Sequence, residues 1–173
     1  MRRENGVTLR ELLVAISLAA VFAAVAIPAW RSVAMRGRAA AEMNRLAGDL
    51  AYARSAAISR GRLVALCTSR DSSGCSSASW DDGWIVYADT NRNRDHDVGE
   101  PVLREEDAFA NSDHLTGNRL VAHRFEFQKD GLPRGLHNGT ITYTPVPDRQ
   151  APHRCVVIAR TGRVRAEGGN DCR

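Results

Sequence analysis

Residues 6–30 read GVTLRELLVAISLAAVFAAVAIPAW, and this stretch decides the fold. From Leu12 to Trp30 no side chain is charged. At about 1.5 Å of rise per residue, such a helix approaches the roughly 30 Å hydrocarbon core of a bilayer. Arg2, Arg3 and Arg10 lie on its N-terminal side and would hold that end in the cytoplasm, while Arg31, Arg36 and Arg38 beyond it pull the other way. A removed secretory signal is the alternative, with Ala24-Val25-Ala26 as a cleavage site. The apolar run continues past that point through Pro28 and Trp30, which favours a retained anchor. The odd residue is Glu11, with Arg10 beside it, at the threshold of the apolar run. A carboxylate there is costly unless neutralised, and the ammonium group of an adjacent subunit would neutralise it while fixing axial register.

Working outward, Met43, Leu46, Leu50, Ala53 and Ala57 recur at threes and fours and predict that the helix continues to about Ser59, ended by Gly61. Arg38, Glu42, Arg45, Asp49 and Arg54 are placed on the opposite, polar face. Beyond it, RLVALCTS, GWIVYAD, EPVLREE, RLVAHRFEFQ, GTITYTP and CVVIARTGRVRA read as short strands, rich in β-branched and aromatic residues and separated by Gly, Pro, Asn and Asp. The expected fold is α+β: one long N-terminal helix, transmembrane in its first half and amphipathic in its second, packed on an antiparallel sheet. With 173 residues there is room for one soluble domain besides the apolar segment.

Net charge is +4, and Lys129 is the only lysine. An arginine-dominated surface suits bidentate phosphate contacts, though high genomic GC content produces the same bias. Nine acids against three arginines crowd Asp81 to Asp107, so the rest of the chain is strongly cationic. One part should repel nucleic acid and the rest attract it. Cys67, Cys75, Cys155 and Cys172 contain no CxxC spacing, which argues against a zinc ribbon or a redox pair. In an oxidising compartment they would form disulfides. Three connectivities are possible, and proximity in sequence favours Cys67 with Cys75 and Cys155 with Cys172.

The basic leader ending in Gly6, followed by VTLRELLVAISLAAVFAAVAIP, resembles the class III signal of type IV pilins and type II secretion pseudopilins. LAGDLAYARSAAISRGRLVALC, SGCSSASWDDGWIVYADTNRNRDHDVGEPVLR and the closing CVVIARTGRVR are similar to the GspH/FimT group of minor pilins and pseudopilins, most of all to its FimT branch. The resemblance implies that a membrane-embedded prepilin peptidase cuts after Gly6 and methylates Val7. It also implies that Glu11 pairs with a neighbour's terminal amine, and that Pro28 is the family's helix-kinking proline. Val7, where phenylalanine or methionine is usual, and Arg10, where an apolar residue is commoner, depart from the pattern. The implied organisation is a leader over 1–6, a transmembrane and filament-core helix over 7–30, its amphipathic continuation over 31–60, and a periplasmic β-rich domain over 61–173. Implied partners are other major and minor pilins, the prepilin peptidase, the inner membrane and, for the FimT branch, double-stranded DNA. The implied location is the inner membrane, crossed once with a cytoplasmic N-terminus, and a pilus after assembly. No cofactor is implied.

Two constellations remain. In a strand, Arg163 and Arg165 of TGRVR would share one side with Val164 opposite, their guanidinium groups about 7 Å apart, close to the phosphate spacing along one DNA strand. Arg160 and Arg154 add charge. By resemblance, Gly162, Arg163 and Arg165 occupy the Gly-Arg-x-Arg motif implicated in DNA uptake by members from naturally transformable bacteria. A solvated strand face would show the same pattern. Separately, Asp89, Asn91, Asn93, Asp95, Asp97 and Glu100 have the one, three, five, seven, nine, twelve spacing of calcium-loop oxygens, although Arg94 stands where that loop wants glycine. A polar hairpin turn explains the same composition. Neither the serines of SSGCSSAS nor the spacing of His96, His114, His123, His137 and His153 suggests a catalytic or metal centre, so no enzymatic activity is expected. Trp80 and Trp84 are read as core.

Overall fold

A computed structural model describes residues 8–109, 113–146, 154–169 and 172. Gly6, Val7 and His153 lie outside them. Helix α1 runs Leu9–Arg60 with Pro28 inside it. It starts at a capping box: Thr8 N and Oγ1 both donate to Glu11 Oε2 at 2.8 Å, and Glu11 N donates to Thr8 Oγ1 at 3.4 Å. It ends at Gly61, whose φ of +61° permits the reversal in which Gly61 N donates to Ile58 O and Arg62 N to Ala57 O.

By contacts the chain divides into two units, Met1–Gly37 and Arg38–Arg173. The first is helical from Leu9 onward, and its large apolar side chains, among them Leu12, Ile16, Phe22 and Ile27, are exposed in the single chain. It includes a stretch long and apolar enough to cross a membrane.

In the second unit the rest of α1 packs, among the described residues, on eight short strands: β1 (Leu63–Thr68), β2 (Trp84–Asp89), β3 (Val102–Glu106), β4 (His114–Gly117), β5 (Arg124–Phe127), β6 (Gly139–Thr144), β7 (Arg154–Ile158) and β8 (Val164–Gly168). They form two antiparallel four-stranded sheets, ordered β3-β2-β1-β5 and β4-β6-β7-β8, rather than the single sheet expected from sequence. The α+β class stands. The stripe Met43, Leu46, Leu50, Ala53 and Ala57 is buried and meets both sheets in one core with Val64, Leu66, Trp84, Val86, Phe125, Phe127, Ile141, Tyr143, Val156 and Ile158. Trp80 and Trp84 are fully buried, with ring centroids 6.5 Å apart.

The two sheets differ in sequence for a physical reason. β6, GTITYT, alternates buried and half-buried positions, as a sheet with one covered face does. β2, WIVYAD, is buried at every position, because its second face is also covered: Ala65, Cys67, Ile85 and Tyr87 pack with Leu63 and Cys75. The expected strand RLVAHRFEFQ is only half strand. Its first residues form a turn in which Val121 is buried and its carbonyl accepts the Trp80 indole N–H at 2.8 Å.

Cys67 is joined to Cys75 and Cys155 to Cys172, with Cα atoms 5.4 and 5.7 Å apart. The first ties β1 to the loop covering the outer face of its sheet, and the second ties the C-terminus to β7. Cys67→Ala/Cys75→Ala is expected to lower stability by about 2.5 kcal/mol through the loop entropy released in the unfolded chain. Urea unfolding of the domain with and without the bridge measures this, and equal midpoints would show that the crosslink contributes nothing.

Candidate nucleic-acid interface

CVVIARTGRVRA, expected as one strand, is a hairpin. β7 and β8 pair from Arg154↔Gly168 to Ile158↔Val164, and Ala159–Arg163 makes the connection, closed by Gly162 N donating to Ala159 O at 2.8 Å and Ala159 N to Arg163 O at 2.9 Å. Arg163 is therefore the last residue of the turn, one position before β8 begins. Arg160, Arg163 and Arg165 are exposed, and Val164 between the last two packs against the core. Arg154 does not join them. It starts β7, at the end away from the turn, about 13 Å along the strand.

The arginines differ in their partners. Arg165 Nε donates to Glu167 Oε1 at 3.0 Å, its neighbour two residues along the same edge strand. Arg160 and Arg163 form no ion pair among the described residues. Gly162 has a packing role: its φ is +76°, and a Cβ there would collide with the Gly131 carbonyl oxygen and stand 3.0 Å from Arg54 Nε. Arg54 holds the two turns together, donating from Nε to Gly131 O at 3.0 Å and from Nη2 to Thr161 O at 3.1 Å. An open groove of about 580 Å³ lies along this contact, lined by Arg54, Ser55, Ile58, Gly162, Arg163 and Val164 among others. Sequence periodicity alone places Arg54 on a polar outer face. Its bonding partners lie 77 and 107 residues away, beyond what a helical pattern can report.

Asp49, on the same polar face by periodicity, is 2% exposed. Its Oδ2 accepts the Trp84 indole N–H at 3.0 Å and its Oδ1 accepts Arg104 Nη1 at 2.7 Å, while the Arg104 guanidinium lies 3.9 Å from the centre of the Tyr52 ring. Glu42 pairs with Arg45 at 3.6 Å, and Arg45 also reaches Glu106 at 2.5 Å. Burial holds the Glu106 carboxyl above the usual carboxylate range despite the neighbouring Arg45.

The oxygens at the calcium spacing are taken up by donors of the protein itself. Asp89 Oδ1 and Oδ2 accept Arg92 N at 2.5 Å and Arg94 N at 3.1 Å, and Asn91 Oδ1 and Asn93 Oδ1 accept Asn93 N at 3.0 Å and Asp95 N at 2.9 Å. Both amide groups, Asn91 Nδ2 and Asn93 Nδ2, point at Asp97 Oδ2. Glu100 accepts from Thr90 N, Thr90 Oγ1, Asn91 N and Asp97 N. Burial pushes the Glu100 carboxyl up, but these hydrogen bonds outweigh it and hold it below the usual range. Asp95 is taken by Arg124 at 2.8 Å. These residues organise a turn, and among the described residues no group of three or more acid, histidine or cysteine side chains is arranged for a metal.

A family model described as type II transport protein GspH matches residues 42–162, which include α1 from Glu42, the calcium-like turn and Gly162. The chain belongs to the GspH family. A pilin-like protein of Thermus thermophilus, PilA1, is 28% identical to this GspH-family chain over 171 residues, covering 94% of this chain and 98% of PilA1. Two crystal forms of the type IV minor pilin FimU of Pseudomonas aeruginosa superpose with TM-scores of 0.60 and 0.57 at 18% and 20% identity, covering 80% and 79% of this chain and 98% and 99% of FimU. At that identity the likeness shows the fold, which is the pilin fold. The GspH-family chain is thus pilin-like, of the minor pilin and pseudopilin kind. At its N-terminus Glu11 uses only Oε2 in the capping box, and Arg10 forms no ion pair with it among the described residues.

Proposed function

We propose that this chain is a minor type IV pilin that binds double-stranded DNA through its β7–β8 hairpin during DNA uptake. Residues 7–30 anchor it in the inner membrane with the N-terminus cytoplasmic, where the prepilin peptidase cuts after Gly6 and methylates Val7 before the chain enters the pilus. In the filament, Glu11 Oε1, which the capping box leaves unused, receives the terminal amine of a neighbouring pilin, relieving the cost of a carboxylate in an apolar lattice.

The observation that carries the DNA reading is the pair Arg160 and Arg163, exposed at a hairpin tip and without an acid partner among the described residues. Guanidinium groups so placed suit phosphate oxygens, and phosphate contacts release counterions, so binding should be independent of sequence and weaken steeply with salt. Arg163→Ala/Arg165→Ala is expected to cost at least tenfold in affinity for a fluorescent duplex at low salt. Parent binding that is unchanged in the double variant, or unchanged between low and moderate salt, would refute this mechanism.

A second reading is a structural minor pilin or pseudopilin that primes assembly of a pilus or secretion pseudopilus without touching DNA. The Arg165–Glu167 pair and the packing role of Gly162 favour it, since both give the motif a use within the fold. Loss of pili on deletion, together with no duplex binding by the purified protein, would select it.

A further inference from the structure

Where α1 ends, three connections bring four cations together. Arg62 after the helix, Arg92 after β2, Lys129 after β5 and Arg134 line a cleft of about 300 Å³ with Gly61, Leu63 and Gln128. A second hollow of about 370 Å³ shares Gly61, Arg62, Leu63 and Arg92 and adds Asp89 and Thr90.

Of the three neighbouring acids, Glu126 alone is ion-paired among the described residues, while Asp89 and Asp130 accept backbone N–H groups. Asp89 is 1% exposed and caps the Arg92 and Arg94 N–H groups. Glu126, 4% exposed, holds Arg94 at 2.7 Å and Arg134 at 3.1 Å. Asp130 is exposed beside Lys129 and accepts Leu132 N at 3.0 Å. Arg62, Arg92 and Lys129 are exposed and form no ion pair among the described residues. Arg92 holds φ at +66°, a conformation that glycine or asparagine would adopt with less strain, so local backbone preference does not explain the cation there.

The cleft adjoins the hairpin. The turn carrying Lys129 continues to Gly131, whose carbonyl Arg54 binds while also binding Thr161 O, and Gly162 packs on that same carbonyl. We propose that the cleft is a second phosphate-contact site for double-stranded DNA, continuing the track that starts at Arg160 and Arg163. The proposal rests on the DNA-binding reading above. Two basic sites flanking one turn match a ligand with repeated charges better than a lone headgroup. The carbonyl end of α1 disfavours a single anion seated deeply beside it, but not phosphates passing over exposed side chains.

The test uses the full chain in detergent micelles with a fluorescent duplex, titrated at several salt concentrations. Arg62→Gln/Arg92→Asn/Lys129→Gln keeps a residue tolerant of positive φ at position 92. It is expected to lower affinity at least tenfold and to reduce the slope of log K against log salt by about 2.7, at about 0.9 per lost phosphate contact. Arg62→Gln alone, at an exposed side chain, should reduce the slope by about 0.9, which preserves the test if the triple variant folds poorly. Parental affinity and slope in both variants, with binding lost in Arg163→Ala/Arg165→Ala, would overturn the cleft and leave the hairpin reading standing. A parent that binds no duplex removes both. Arg62-dependent binding to phosphatidylglycerol vesicles without duplex binding would assign the cleft to lipid headgroups instead and overturn the proposal.

Discussion

Asp49→Ala is expected to destabilise the β-rich domain by about 3 kcal/mol. The carboxylate joins three elements: α1, which carries it, β2 through the Trp84 indole N–H, and β3 through Arg104. Removing it strands an indole N–H on a fully buried tryptophan, where water cannot replace the lost acceptor. That orphaned donor accounts for about 1–3 kcal/mol. The Arg104 side chain is 46% exposed and regains hydration, so its share of the loss is smaller than for a fully buried pair. Asp49→Asn keeps one acceptor oxygen, which can serve Trp84 or Arg104 but not both, and should lose about half as much. Urea unfolding of residues 38–173 reads both values as a midpoint shift at constant slope. A loss below about 1 kcal/mol in the alanine variant would mean that the carboxylate is no more than a solvated surface charge, as its place in the helical pattern suggests.

That contrast shows what the sequence can and cannot yield. The membrane-length run and the stripe from Met43 to Ala57 are local regularities, and the helix follows them from Leu9 to Arg60. Asp49 and Arg54 obey the same period as polar-face residues, yet both turn to partners contributed by distant strands and turns. Periodicity reports the angle around a helix axis, but it does not report how far the neighbouring elements wrap around it. β4, His114–Gly117, does not stand out in sequence because four residues with one buried apolar position carry too little alternation. It is held by its pairing with β6. The division into two sheets is likewise hidden, since strand signals do not say which strands pair. The capping box at Thr8 and Glu11 is readable as Thr-x-x-Glu before an apolar run, but the pairing expected between subunits offers a competing use for the same carboxylate. At the candidate site the arginines are legible by type and spacing. Their inequality is not, because Glu167 pairs with only one of them, and the turn that removes Arg163 from the strand depends on Gly162 having somewhere to pack.

Gly162→Ala is the substitution that separates the fold from the function in this motif. At φ +76° an L side chain costs about 1–2 kcal/mol, and the collision of its Cβ with the Gly131 carbonyl adds about 1–3, because both partners are backbone and neither can rotate away. The expected loss is about 3–4 kcal/mol, with the Arg54 bridge between the Gly131 and Thr161 turns opened in the process. Arg163→Ala/Arg165→Ala touches only exposed side chains and one solvent-facing ion pair, so its stability should stay within about 0.5 kcal/mol of the parent. Duplex binding should follow the opposite order when measured at a temperature where both variants are folded. The arginine variant loses the contacts of Arg163 and Arg165 and keeps Arg160, whereas the folded fraction of the glycine variant still carries all three. Thermal unfolding beside duplex titration of the two variants checks the pair of expectations together. If the glycine variant were as stable as the parent yet failed to bind, Gly162 would itself approach the ligand, and the division of labour between a structural glycine and contacting arginines would have to be abandoned.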